Sequence, residues 1–84
     1  MNRDEIVLQL KAYFEKSHPH GGAVLDENTD LLKDWLTDSL EIVETVLFLE
    51  KAFGIKLSAA DINGTVFKDI KALSDVVVSR LANR

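Results

Sequence analysis

Residues 38–54 read Asp-Ser-Leu-Glu-Ile-Val-Glu-Thr-Val-Leu-Phe-Leu-Glu-Lys-Ala-Phe-Gly, and this stretch decides the fold. Asp38 is a good N-cap, and Glu41, three residues on, completes a capping-box pattern. No helix breaker stands between Leu40 and Phe53, and Gly54 follows where a left-handed C-cap is expected. The pattern predicts a helix of about 15 residues. At about 100° per residue, Ile42, Val46, Leu49 and Phe53 fall within roughly 60° of one another and form a core face. Leu40, Val43 and Leu47 form a second apolar group, centred about 130° away. Glu44 and Glu50 lie within or beside that group, and Glu41 lies elsewhere on the wheel. Two readings stay open. The second stripe is a docking surface rimmed by carboxylates, or the helix is sandwiched and both stripes are core. Phe48, on yet another side, suits the sandwich.

Toward the N-terminus, Asn2 and Glu5 give a second helix start. Ile6, Leu10, Tyr13 and Ser17 fall on one face of this first helix, with Val7 and Phe14 beside them. It should end near His18, because Pro19 biases its predecessor away from helix. Residues 18–37 carry no sustained period. His18-Pro19-His20-Gly21-Gly22 is punctuation, and Asp26, Asn28, Thr29 and Asp30 are turn formers. Ala23, Val24, Leu25, Leu31, Leu32 and Trp35 are expected to pin this long loop to the core, with a short helical turn at residues 31–35.

Toward the C-terminus, Ile55, Lys56 and Leu57 read as an extended connector. Ser58 can cap a short helix over Ala59, Ala60, Asp61 and Ile62, stopped by Asn63-Gly64. Asp69 caps a last helix with Ile70, Leu73, Val77 and Leu81 on its inner face and Val66 and Phe67 packing just before it. Val76-Val77-Val78 would suit a strand, but no second strand signal exists to pair with it. The elements are three substantial helices and one short one. Their apolar stripes can be buried only against one another, which predicts an all-α, small antiparallel four-helix bundle.

At 84 residues the chain is read as a single domain. It has no cysteine, so neither a disulfide nor a protein thiolate is available, in keeping with a reducing compartment. Residues 1–9 show no signal-peptide pattern, and no apolar run approaches a membrane span, so a soluble cytoplasmic protein is expected. Residues 26–50 hold eight acids (Asp26, Glu27, Asp30, Asp34, Asp38, Glu41, Glu44 and Glu50) against Lys33. An acidic middle repels nucleic-acid phosphates and attracts basic protein surfaces.

Ser39 stands in the first turn of the central helix, where the dipole and free N–H groups favour negative charge. A bare Asp-Ser-Leu tripeptide would be a routine helix start. Here it belongs to a longer pattern, Asp38-Ser39-Leu40-Glu41-Ile42-Val43-Glu44 followed by Leu49-Glu50-Lys51-Ala52-Phe53-Gly54-Ile55. Together with a helix before, a long acidic loop and a final helix after, this pattern resembles the acyl carrier protein family over about residues 4–82. The resemblance implies a carrier domain spanning residues 1–84 that is not itself an enzyme. It implies 4′-phosphopantetheine on Ser39, attached from coenzyme A by a separate phosphopantetheinyl transferase with Mg²⁺. Acyl or aminoacyl cargo would be held as a thioester on the arm's thiol. A loading ligase and downstream synthase or transferase enzymes would be the further partners. The recognition positions it implies are Asp38, Leu40, Glu41, Val43, Glu44, Leu47 and Glu50, so the second stripe acquires a role. An apolar space lined by Ile42, Val46, Leu49, Phe53, Ile62 and Leu73 could shelter a chain. A monomer that binds neither nucleic acid nor membrane is expected.

This sequence departs from the family where Trp35-Leu36-Thr37 replaces the usual glycine-containing approach to Asp-Ser-Leu. Lys51 and Ala52 stand where fatty-acid carriers tend to be acidic, and Phe48 is bulky for its place. Within fatty acid or secondary metabolite biosynthesis, these departures point away from a housekeeping fatty-acid carrier and toward a specialised one, serving a polyketide-like, peptide-synthetase-like or aminoacyl-transfer pathway. The alternative is an unmodified helical protein-interaction module. His18 and His20 lack convergent partners for a metal site, and no phosphate-binding loop or nucleophile-base pair is present.

Overall fold

The structure is a computed structural model that describes residues 2–17, 25–36 and 38–83. The end of the first helix at His18, the anchors Ala23 and Val24, and Thr37 lie outside the described residues, as does His20. Helix α1 spans Arg3–Ser17, α2 Leu31–Asp34, α3 Ser39–Phe53 and α4 Ile70–Ala82, with a 3₁₀ turn at Ala59–Asp61. Among the described residues there is no strand. The all-helical class therefore holds. The short helices differ from expectation: the α-helical one is the turn at Leu31–Asp34, and the segment after Ser58 is a three-residue 3₁₀ turn that excludes Ile62.

The helix starts follow from local polar side chains. Asn2 Oδ1 accepts from the Glu5 N–H at 2.9 Å, and Glu5 reaches back to the Asn2 side chain. Asp30 accepts from the Leu32 and Lys33 N–H groups and caps α2. Asp69 accepts from the Ala72 N–H at 2.7 Å and caps α4. Gly54 ends α3 with φ 66° and ψ 33°, a left-handed conformation that disfavours a side chain.

The core joins Ile6, Leu10 and Phe14 of α1 to Leu31, Trp35 and Leu36, then to Leu49 and Phe53 of α3. It continues through Ile55 and Phe67 to Ile70, Leu73 and Val77 of α4. Burying each large apolar side chain contributes about 1.5–3 kcal/mol before entropy is set against it. In α1 the centre of the stripe is the i, i+4 series Ile6, Leu10 and Phe14. Tyr13 is half-buried, and Ser17, on the last turn, is exposed. Val76-Val77-Val78 is helical, with Val77 buried and Val78 on the outer side.

The stretch before α3 is anchored by backbone hydrogen bonds as well as by apolar contacts. The Leu31 N–H donates to the Lys68 carbonyl at 2.8 Å, and the Lys71 N–H donates to the Glu27 carbonyl at 3.0 Å. Arg3, at the start of α1, bridges Glu27 and Asp75 of α4. These ties hold the loop against the start of α4. Leu32, expected as an anchor, is instead partly exposed, while Leu36 takes a buried place beside Trp35.

Candidate functional site

The first turn of α3 is built by Asp38. Its backbone is extended, with φ −144° and ψ 168°, and its Oδ1 accepts from the Glu41 N–H at 2.9 Å. Ser39 is therefore the first helical residue, and it is exposed. Its hydroxyl stands at the positive end of a 15-residue helix, where the aligned peptide dipoles act as roughly half a positive charge.

The side chains below it resolve the two readings of the helix. Leu40 is 64% exposed, Val43 53% and Leu47 59%, whereas Thr45, Leu49 and Phe53 are buried. The second stripe is thus surface, and α3 is not sandwiched. Ile42 and Val46 are only half-buried, so the buried face is centred closer to Thr45 than apolar spacing indicated. Thr45 can take that central place because its hydroxyl donates to the Glu41 carbonyl at 2.9 Å. With that polar group satisfied inside the helix, the methyl is free to pack. Phe48 is half-buried and stacks on Tyr13 of α1.

The acidic rim divides. Asp38 and Glu44 are exposed, and Glu41 is half-buried. Glu50 is also half-buried, and its carboxylate accepts from the Leu57 N–H at 2.9 Å. The expected recognition positions Leu40, Val43, Glu44 and Leu47 therefore share an outer face. Glu50 is engaged in fixing the connector after α3.

An apolar cleft of about 120 Å³ opens beside Ile42, one turn along the helix from Ser39. Leu32, Ile62, Asn63, Gly64 and Phe67 complete its walls. Of the six residues expected to line an internal space, Ile42 and Ile62 line this cleft, and Val46 is partly buried against the core without lining it. Leu49, Phe53 and Leu73 are buried in the main core instead. Larger depressions lie over Tyr13 and Phe48 and at the start of α4, and neither is lined by Asp38, Ser39 or Leu40.

Asp61 adds a charged contact behind the cleft wall. Its carboxylate accepts from the Ser58 N–H at 2.9 Å and from the Ser58 hydroxyl, and it pairs with the Arg80 guanidinium of α4. The Arg80 hydrogen bond, then the Ser58 N–H, hold its carboxyl below the usual range against a smaller opposing effect of burial. Sequence spacing carried no signal for this pair, whose members lie 19 residues apart.

Among the described residues no three His, Asp or Glu side chains converge as a metal site would require. No described helix is long and apolar enough to cross a membrane. No protein-family model matches the chain, and no curated protein matches it either.

Proposed function

We propose that this chain is a carrier of acyl or aminoacyl groups, held as thioesters on a 4′-phosphopantetheine arm at Ser39 and presented to partner enzymes. The observation that carries the reading is the pairing of an exposed Ser39 at the N-terminus of α3 with an exposed apolar stripe directly below it. The residues fit such a group. A phosphodiester on the Ser39 hydroxyl would meet the favourable field of the helix end. When bound, the arm supplies a terminal thiol, which this cysteine-free chain does not have. Asp38 orders the turn that holds Ser39 outward. Leu40, Val43 and Leu47 offer a partner an apolar surface, and Asp38, Glu41 and Glu44 offer carboxylates to its basic rim.

The partners in this reading are a phosphopantetheinyl transferase, a loading ligase and a downstream synthase or transferase. The test is incubation with coenzyme A, Mg²⁺ and broad-specificity transferases, followed by intact-mass measurement. The expected result is a gain of one arm on the wild type and none on Ser39→Ala. An unchanged wild-type mass with several transferases would overturn the proposal.

A second reading rests on the same exposed stripe, which would serve a partner whether or not Ser39 is modified. In that case the chain is a helical interaction module, and its partner binding survives Ser39→Ala undiminished.

A further inference from the structure

Residues 58–66 run from the end of the connector to the buried anchor Phe67 and form one wall of the cleft beside Ile42. This strap is stiffened from within. Asn63 Oδ1 accepts from the Thr65 and Val66 N–H groups, both at 2.9 Å, and its amide donates to the Ala60 carbonyl at 2.8 Å. The Asp61 and Ile62 N–H groups donate to Ser58 and Ala59 carbonyls of the same segment, and the Phe67 N–H donates to the Asn63 carbonyl. A segment bonded to itself in this way moves as a unit.

What fixes it to the rest of the molecule is sparse. Ile62 is 44% exposed, so burial of this side chain holds the wall only weakly. Among the described residues, the polar tie from the strap to another helix is the Asp61–Arg80 pair. Asp61 is well covered, and Arg80 remains partly open to solvent. Across the cleft, Gly64 faces the tip of Leu32, where an added Cβ would stand 3.6 Å from Leu32 Cδ1. The wall is thus pinned at Asp61, anchored at its far end by Val66 and Phe67, which pack on the core, and otherwise meets its neighbours through apolar contacts that can part.

We propose that the Asp61–Arg80 pair is a clasp that holds the strap closed over the apolar cleft, and that its release opens the cleft beside the first turn of α3. The pair joins Asp61 at the end of the 3₁₀ turn to the last turns of α4, so parting it frees Ile62, Asn63 and Gly64 together. Phe67 stays in the core and serves as the hinge end. The clasp acts on the cleft whether or not Ser39 carries an arm, so its test stands apart from the test of the carrier reading.

The test uses the whole unmodified chain and three variants, Arg80→Gln, Asp61→Asn and Arg80→Lys. Asp61→Asn keeps an acceptor for the Ser58 N–H while removing the charge. Amide hydrogen exchange is measured residue by residue, and xenon serves as a small apolar probe of the cleft through shifts at Ile42, Ile62 and Phe67. In Arg80→Gln and Asp61→Asn, exchange at Phe67, whose N–H bonds to the Asn63 carbonyl across the hinge, should accelerate roughly fivefold, while the amides of α1 stay unchanged. Xenon-induced shifts at Ile42 and Ile62 should weaken in the same two variants, because an open wall encloses the probe poorly. Arg80→Lys, which keeps a cation, should return both readouts toward the wild type. Exchange that is unchanged, or that rises equally along the whole chain, overturns the clasp, as does full retention of the xenon shifts.

Discussion

Glu50 and Leu57 are joined across the end of α3, the Leu57 N–H donating to Glu50 Oε2 at 2.9 Å. The bond turns a residue that reads as part of a recognition surface into one that fastens the connector. Glu44, six residues earlier, is exposed and has no polar partner among the described residues. Charge reversal should separate the two roles. Glu50→Lys removes the acceptor and should cost about 1 kcal/mol of stability, read as a lower denaturant midpoint. Glu44→Lys should stay within about 0.5 kcal/mol of the wild type.

On the proposed docking face the order reverses. Glu44→Lys should weaken binding to a transferase or acyl-loading partner, and more strongly at low salt than at high salt, because exposed charges are screened. Leu47→Asp should do so at either salt concentration, since it puts a charge into the apolar stripe. Affinity measured at two ionic strengths checks both, and equal affinity for all three chains would show that the face lies elsewhere.

Tyr13 and Phe48 stack with ring centroids 4.1 Å apart and planes 14° from parallel, and Phe48 meets Phe53 edge-on at 6.0 Å. This cluster joins α1 to α3 at a place where neither ring is fully buried. Phe48→Ala should cost about 2 kcal/mol, below the range for a fully buried phenylalanine. A double-mutant cycle with Tyr13→Ala should give a coupling of about 0.5–1.5 kcal/mol.

The features legible in the sequence are those that depend on near neighbours. Asp38, Asp69 and Gly54 were readable as caps because a cap bonds three or four residues away. The two stripes of α3 were also readable, since a helical wheel needs only spacing. Which stripe is covered was not, because Leu40 and Leu49 differ in what the other helices bring to them, not in their own chemistry. Apolar spacing misses Thr45 at the centre of the buried face, because its hydroxyl counts as polar unless its bond to the Glu41 carbonyl is known. Composition alone makes Leu32 an anchor, but the bond that fastens the loop to Lys68 is made by its neighbour Leu31, and Leu32 lines the cleft. Asp61 and Arg80 meet only through the fold, so no local pattern could pair them.

Ser74 is fully buried on α4, and its hydroxyl has no hydrogen-bond partner among the described residues. An unpaired buried hydroxyl carries a desolvation cost that a methyl does not. Alanine also has the higher helix propensity. Ser74→Ala should therefore raise stability by about 1 kcal/mol, with the denaturant midpoint higher and the slope unchanged. A lower midpoint would mean that the hydroxyl is bonded in the folded protein.

Acid should reveal the Asp61–Arg80 pair through the shape of its stability curve. The Arg80 guanidinium, with help from the Ser58 N–H, holds the folded Asp61 carboxyl below its ordinary value of 3.8. The folded protein then binds that proton less readily than the unfolded chain. Where the unfolded chain takes up protons that the folded chain refuses, stability falls as pH falls. The contribution is complete above the ordinary value and is lost as pH drops from there through the depressed one. Stability measured against pH for the wild type and Asp61→Asn should show a constant gap from about pH 7 to about pH 5, closing only in stronger acid. A gap that closes already near neutrality would assign the titration to another group and remove Arg80 as the partner that keeps Asp61 ionised.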